Sequence, residues 1–126
     1  MSDRPVLQPT AGHPITVEHT GGRVTVRVNG EIVADTDRAL TLQESTYPAV
    51  QYIPLGDVAQ DKLKPSDTQT YCPFKGDAGY YHVVTEAGAV IEDAVWTYER
   101  PYPAVSEIAG HVAFYPDKAE VTVLPA

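Results

Sequence analysis

The chain has little that would staple it, anchor it or draw it to a polyanion. A single cysteine leaves no partner for an internal disulfide, which excludes a secreted, disulfide-stapled scaffold. Basic residues are scarce: nine Lys and Arg stand against seventeen Asp and Glu, for a formal net charge of −8 at pH 7. A phosphate backbone or an anionic membrane surface needs clustered cations, so neither nucleic acid nor membrane is expected as a partner. A small-molecule ligand remains open, because a locally positive pocket can exist in an acidic chain. No apolar run approaches the ~18 residues of a membrane span. The opening stretch MSDRPVLQPTAGHP has none of the apolar core of a signal peptide, and a cytoplasmic location is expected. The four histidines, His13, His19, His82 and His111, are dispersed, and neither CxxC nor HxxxH occurs. No metal site and no cofactor is expected on that pattern. A Ser-His-Asp arrangement, a phosphate-cradling glycine loop and a dinucleotide fingerprint are absent as well.

What is present points to β structure. At 126 residues and 43% hydrophobic content the chain is long enough to bury a core without staples. Eleven prolines are scattered through it and argue against long helices. Residues 1–12 read as a flexible tail, and 13–126 as a single β domain. In RVTVRVNGEIVADT, Val24, Val26 and Val28 point one way and Arg23, Thr25 and Arg27 the other. Asn29-Gly30 then supplies two residues that tolerate positive φ, which predicts a two-residue hairpin turn. Further strands are predicted at ITVEHT, ALTLQES, AVQYIPL, YYHVV, AVIEDAVWTYE, HVAFYP and AEVTVLP, the last two as a closing pair turning at Pro116-Asp117. GDVAQDKLK is the best helix candidate, capped by Asp57 and stopped by Pro65, and AVSEIAG is a second short helical turn ending at Gly110. The expected fold is all-β: two antiparallel sheets of about eight short strands, a sandwich or barrel, with one or two short helices.

Three residues could carry chemistry. Period two places Glu44 on the face of Leu40 and Leu42, where a carboxylate needs a hydrogen bond or a cation; the alternative is that the strand ends or bulges first and leaves Glu44 exposed. Cys72 lies in YCPFKGDAGYY, a stretch that reads as a strand end and a turn. Lys75 follows three residues later, and an ammonium beside a thiol raises its thiolate fraction; otherwise a lone cysteine is a small buried hydrophobe. The aromatic residues gather late in the chain, and Trp96 and Tyr98 share a strand face that could wall a pocket, though most such residues are core. His82 alternates with Tyr80 and reads as a partly exposed strand histidine.

The stretches LQESTYPAVQYIPLGDV, YCPFKGDAGYYHV and AVWTYERPYPAVSEIAGHVAFYPDKAEV together resemble domain-of-unknown-function family 427, found in bacteria and fungi. The likeness runs from about Arg23 to Val123. It implies a β-tent-like arrangement, two antiparallel sheets leaning together, as in methionine sulfoxide reductase B and the thalidomide-binding domain of cereblon. Many proteins of that wider group hold a zinc ion in two CxxC knuckles; with one cysteine, this chain departs from that pattern. The family pattern includes Glu44, Tyr52, Lys75, Tyr80, Trp96 and Tyr98, all present here.

Two functions are compatible with these residues. One is a small-molecule pocket, catalytic or not, with Glu44 as acid or base, Lys75 as anion or carbonyl anchor, Cys72 within reach, and Tyr52, Tyr80, Trp96 and Tyr98 as ligand-binding walls. The other is a non-catalytic interaction or sensing module in which the same residues hold the fold together. The first requires Glu44 and Lys75 to meet beside an open cavity.

Overall fold

The structure is a computed structural model that describes residues 4–125. Ten strands run in the order β1 (Ile15–His19), β2 (Gly22–Val28), β3 (Glu31–Thr36), β4 (Leu40–Glu44), β5 (Val50–Pro54), β6 (Leu63–Cys72), β7 (Gly76–Val84), β8 (Val90–Thr97), β9 (His111–Phe114) and β10 (Glu120–Pro125). They form two open antiparallel sheets. The larger has the order β1-β4-β5-β9-β8-β7-β6, and the smaller β10-β2-β3. The all-β, two-sheet expectation holds, and neither sheet closes into a barrel.

The β2–β3 hairpin forms where valine alternation and Asn29-Gly30 place it. Both turn residues have positive φ, 50° and 82°, and Val28 pairs with Glu31 directly across them. Val24, Val26 and Val28 are fully buried against the larger sheet. The register slips between Val26 and Arg27, so β3 carries one extra residue there; Val33 and Ala34 are consequently both buried, although they are neighbours in sequence.

Three expectations need correction. GDVAQDKLK does not form an α-helix. It makes two 3-10 turns, Leu55–Asp57 and Gln60–Lys62, separated by Val58 in an extended conformation. Val58 is buried and bridges to Ala34, so burial of a β-branched side chain outweighs helical continuity. Asp57, expected as the cap, instead accepts hydrogen bonds from Thr36 Oγ1 at 2.6 Å and Arg38 at 3.0 Å. Pro65 stops no helix; it lies inside β6, an unpredicted strand at the edge of the larger sheet. An edge position tolerates a residue without an N–H, and the ladder with β7 is irregular between Pro65 and Gln69. Finally, β9 and β10 do not pair. β9 inserts between β5 and β8, while the turn after Tyr115 sends β10 to β2 in the other sheet.

Within the segment expected as a loose tail, Arg4, Pro5 and Leu7 contact the β6–β7 hairpin. Arg4 forms an ion pair with Asp77, the Leu7 N–H donates to the Pro73 carbonyl at 2.9 Å, and the Tyr71 hydroxyl donates to the Pro5 carbonyl at 2.7 Å. Residues 1–3 of that segment lie outside the described residues.

Alternation along the strands of the larger sheet separates two hydrophobic clusters. Ile53, Val83, Val95, Val112 and Phe114 join the valines of the small sheet. Their sequence neighbours Tyr52 and Ala113 pack with Leu40, Leu42, Ala78 and Tyr98, and with Val105 and Ile108 of the 3-10 segment Pro103–Ile108; Trp96 borders them. Among the described residues no helix is long and apolar enough to cross a membrane.

Candidate functional site

Glu44 is the last residue of β4 and keeps the phase of Leu40 and Leu42. The chain turns at once: Ser45 takes φ 49°, its N–H donates to the Pro14 carbonyl at 2.8 Å, and the Tyr47 N–H donates to the Glu44 carbonyl at 2.9 Å. This turn keeps Glu44 at the end of the sheet, facing inward with a side chain only 15% exposed. Lys75 reaches it from the β6–β7 connection. Pro73 and Phe74 carry the chain round, and the Lys75 N–H donates to the Cys72 carbonyl at 3.2 Å. Gly76 follows at φ 110°, where a Cβ would press on the Arg100 carbonyl at 3.3 Å. The Lys75 carbonyl accepts from Tyr102 N–H at 3.0 Å, which fixes the loop against the segment after β8.

The Lys75 ammonium donates to Glu44 Oε1 and, more weakly, to Cys72 Sγ at 3.9 Å. Glu44 Oε2 accepts from His13 Nε2 at 2.8 Å; an ionised carboxylate cannot donate, so the imidazole carries its proton on Nε2. His13 stacks on Phe74, with centroids 4.4 Å apart and planes 11° apart. Burial acts to raise the Glu44 carboxyl, but the hydrogen bonds from Lys75 and His13 outweigh it and hold Glu44 below the usual carboxylate range. Glu44 and Lys75, both singled out in the sequence, thus meet, while their neighbour His13 was not singled out. That residue sits two positions before Ile15, whose partner across β1–β4 is Glu44 itself. Only the register of a long-range strand pair could have revealed it.

A cavity of about 610 Å³ opens beside this pair. Glu44 and Lys75 line one part of it; Tyr52, Tyr80, Trp96 and Tyr98 supply much of the wall, joined by Phe114 and Tyr115 and by Val121 and Val123 of β10. Trp96 lies 4.5 Å from Tyr115 between ring centroids and edge-on to Tyr52 at 6.3 Å. Its Nε1 donates to the Tyr52 hydroxyl at 3.1 Å. Tyr80 shares its hydroxyl with Thr70 Oγ1 at 2.9 Å and with Tyr115 at 3.4 Å. Burial pushes the phenols of Tyr52, Tyr98 and Tyr115 well up, so each remains a neutral O–H group. Tyr115 belongs to the wall but was not singled out by sequence, since its contact with Trp96 depends on the pairing of β8 with β9.

Cys72 ends β6 and packs against the second cluster as a partly buried apolar group, outside the cavity lining. His82 is also outside it; its Nδ1 accepts the Asp93 N–H at 3.0 Å. Among the described residues no group of three or more His, Cys, Asp or Glu side chains is placed to hold a metal ion. The arrangement therefore offers one ammonium, a carboxylate already matched on both oxygens, and several neutral phenols on an aromatic wall.

No curated protein matches the chain. A family profile labelled NTP_transf_9 does, over residues 16–124, which spans every strand from β2 to β9 and most of β1 and β10; the chain belongs to the family described as a domain of unknown function, DUF427.

Proposed function

We propose that this protein is a small-molecule-binding domain whose ligand occupies the cavity between the Glu44–Lys75 pair and the Trp96 wall. One observation carries the reading: a nearly buried ion pair borders an open cavity of about 610 Å³ with seven aromatic residues in its lining. That volume is in the range of pockets for metabolite-sized ligands. An ion pair costs desolvation that apolar packing would avoid, so its place beside a cavity favours recognition over pure stability. Lys75 serves as the polar anchor, Glu44 and His13 hold it in position, and Trp96, Tyr98 and Tyr115 contact the body of the ligand. The family label points to nucleoside triphosphates. The cavity favours a ligand of lower charge, because its ammonium is already paired with Glu44 and the chain is acidic overall.

The only tryptophan of the chain is in the cavity wall, so its fluorescence reports occupancy without a label. A panel of metabolites that includes nucleoside triphosphates, titrated while Trp96 emission and thermal stability are followed, is expected to yield saturable ligands. A ligand present at 100 times its Kd stabilises the fold by about 2.7 kcal/mol. Hits that raise the melting temperature of wild type but not of Trp96→Ala or Lys75→Ala support the reading. A panel that leaves emission and stability unchanged, or hits indifferent to both substitutions, counts against it.

A further inference from the structure

The hydrogen-bonding balance of the cavity points to the class of its ligand, an inference that rests on the cavity being a binding site. Each acceptor named at its polar end already takes one hydrogen bond from the protein. Glu44 Oε1 accepts from Lys75 and Oε2 from His13, and the Tyr52 oxygen accepts from Trp96 Nε1. Donors are left over. The Lys75 ammonium has three N–H groups and two partners, Glu44 and Cys72. The Tyr52 hydroxyl accepts from Trp96, while its own hydrogen has no acceptor among the described residues. The Tyr98 hydroxyl has no hydrogen-bond partner among them, although the residue is only 8% exposed. No sealed-off polar side-chain atom among the described residues lacks a partner, so the Tyr98 oxygen retains access to solvent, and Tyr98 lines the cavity. Burial keeps both phenols protonated and therefore able to donate.

We propose that the cavity takes an aromatic carboxylate. Its carboxylate would accept from the spare Lys75 N–H and from the Tyr98 hydroxyl, and its ring would lie against Trp96 and Tyr115. A ligand rich in donors must share Glu44 oxygens that Lys75 and His13 already engage, and it leaves three donors unmatched. A carboxylate is acceptor-only and forms charge-assisted hydrogen bonds about twice as strong as neutral ones. The aromatic wall favours a flat apolar body over a sugar or a flexible chain.

The test uses three probes that share one ring: phenylacetate, phenylacetamide and phenethylamine. The shift of the Trp96 indole N–H resonance is followed in each titration of the full chain. The acid is expected to saturate at least about tenfold more tightly than the amide, with the amine weakest. Tyr98→Phe, which keeps the ring, is expected to weaken the acid about tenfold. Lys75→Met should weaken it further, and Tyr98→Phe carries the test alone if that variant does not fold. Amide or amine binding as tight as the acid overturns the ligand class and leaves the binding site standing. Acid binding unaffected by Tyr98→Phe overturns the assigned contact. No saturable shift with the acid overturns the proposal, and the broader metabolite panel then decides whether the cavity binds anything.

Discussion

The two hydrophobic clusters of the larger sheet are made from the same strands and differ in chemistry. On β5, Ile53 belongs to one and Tyr52 to the other; on β8, Val95 packs in the first while Trp96 borders the second. The first cluster is closed apart from Phe114, which reaches the cavity wall. Its valines and isoleucine are essentially without exposure, and they interlock with the small sheet. The second mixes aliphatic residues with Tyr52, Tyr80, Trp96 and Tyr98, and through these rings it lines the cavity beside the Glu44–Lys75 pair. On the proposed reading, the first cluster supplies packing alone, and the second supplies packing and a wall of the binding site. Period-two alternation lets five or eight residues serve both purposes.

This division predicts a gradient of effects. The largest is expected in the closed cluster. Ile53→Ala should cost about 2–5 kcal/mol in chemical denaturation, because its neighbours are fully packed and cannot collapse into the space. A loss near zero would show that the first cluster is not the closed one.

Next comes Lys75→Ala. Removing one member of a sealed ion pair costs about 3–5 kcal/mol and of an exposed pair about 0–1 kcal/mol. Beside an open cavity water can solvate Glu44, and His13 remains bonded to it, so a cost of roughly 1–3 kcal/mol is expected between those limits. A double-mutant cycle with Glu44→Gln isolates the pair. A coupling as large as that of a sealed pair would mean that the polar end of the cavity is closed to water.

A third effect is one of pH. The folded-state pKa of the Glu44 carboxyl lies below its ordinary value of 4.5, so its contribution to stability is fully present above that value. It is lost as the pH falls through the lowered folded pKa, where the unfolded state already holds the proton. Urea denaturation of wild type and Glu44→Gln, compared between pH 7 and pH 3, should show the gap between the two narrowing only toward the acid end. A gap constant across that range would remove the ionised carboxylate from the account.

The smallest effect on stability is expected from Tyr98→Phe. The hydroxyl has no hydrogen-bond partner among the described residues, so the change should stay within about 0.5 kcal/mol of wild type while weakening the carboxylate probe. A substitution that moves binding and spares stability would place Tyr98 on the recognition side of the comparison.

Local chemistry made much of this legible before any coordinates. The Val24–Val28 alternation and the Asn29-Gly30 turn are encoded within fourteen residues, and the phase of Leu40, Leu42 and Glu44 follows from period two alone. What local chemistry could not supply was partnership. His13 and Lys75 each lie 31 residues from Glu44, and the two meet it only after β1 has paired with β4 and the β6–β7 hairpin has swung Lys75 inward. The same limit explains β9 and β10: Pro116-Asp117 does turn the chain, but a turn does not say which strand receives the next segment. Val58 shows the reverse case, where a distant bridge to Ala34 overrode a plausible local helix.

Pro65, which reads as a stop signal and turns out to be a strand residue, bears on how this molecule behaves in a crowd. β6 is the outer strand of the larger sheet, the kind of edge on which a second copy could grow as an additional strand. A growing ladder needs an unbroken row of N–H and C=O groups. Pro65 removes one N–H, and the irregular stretch up to Gln69 disturbs the spacing of the rest. At the far end, the Leu7 N–H occupies the Pro73 carbonyl next to the strand. With a net charge of −8 opposing the approach of other copies, Pro65 leaves this edge an interrupted template for an added strand.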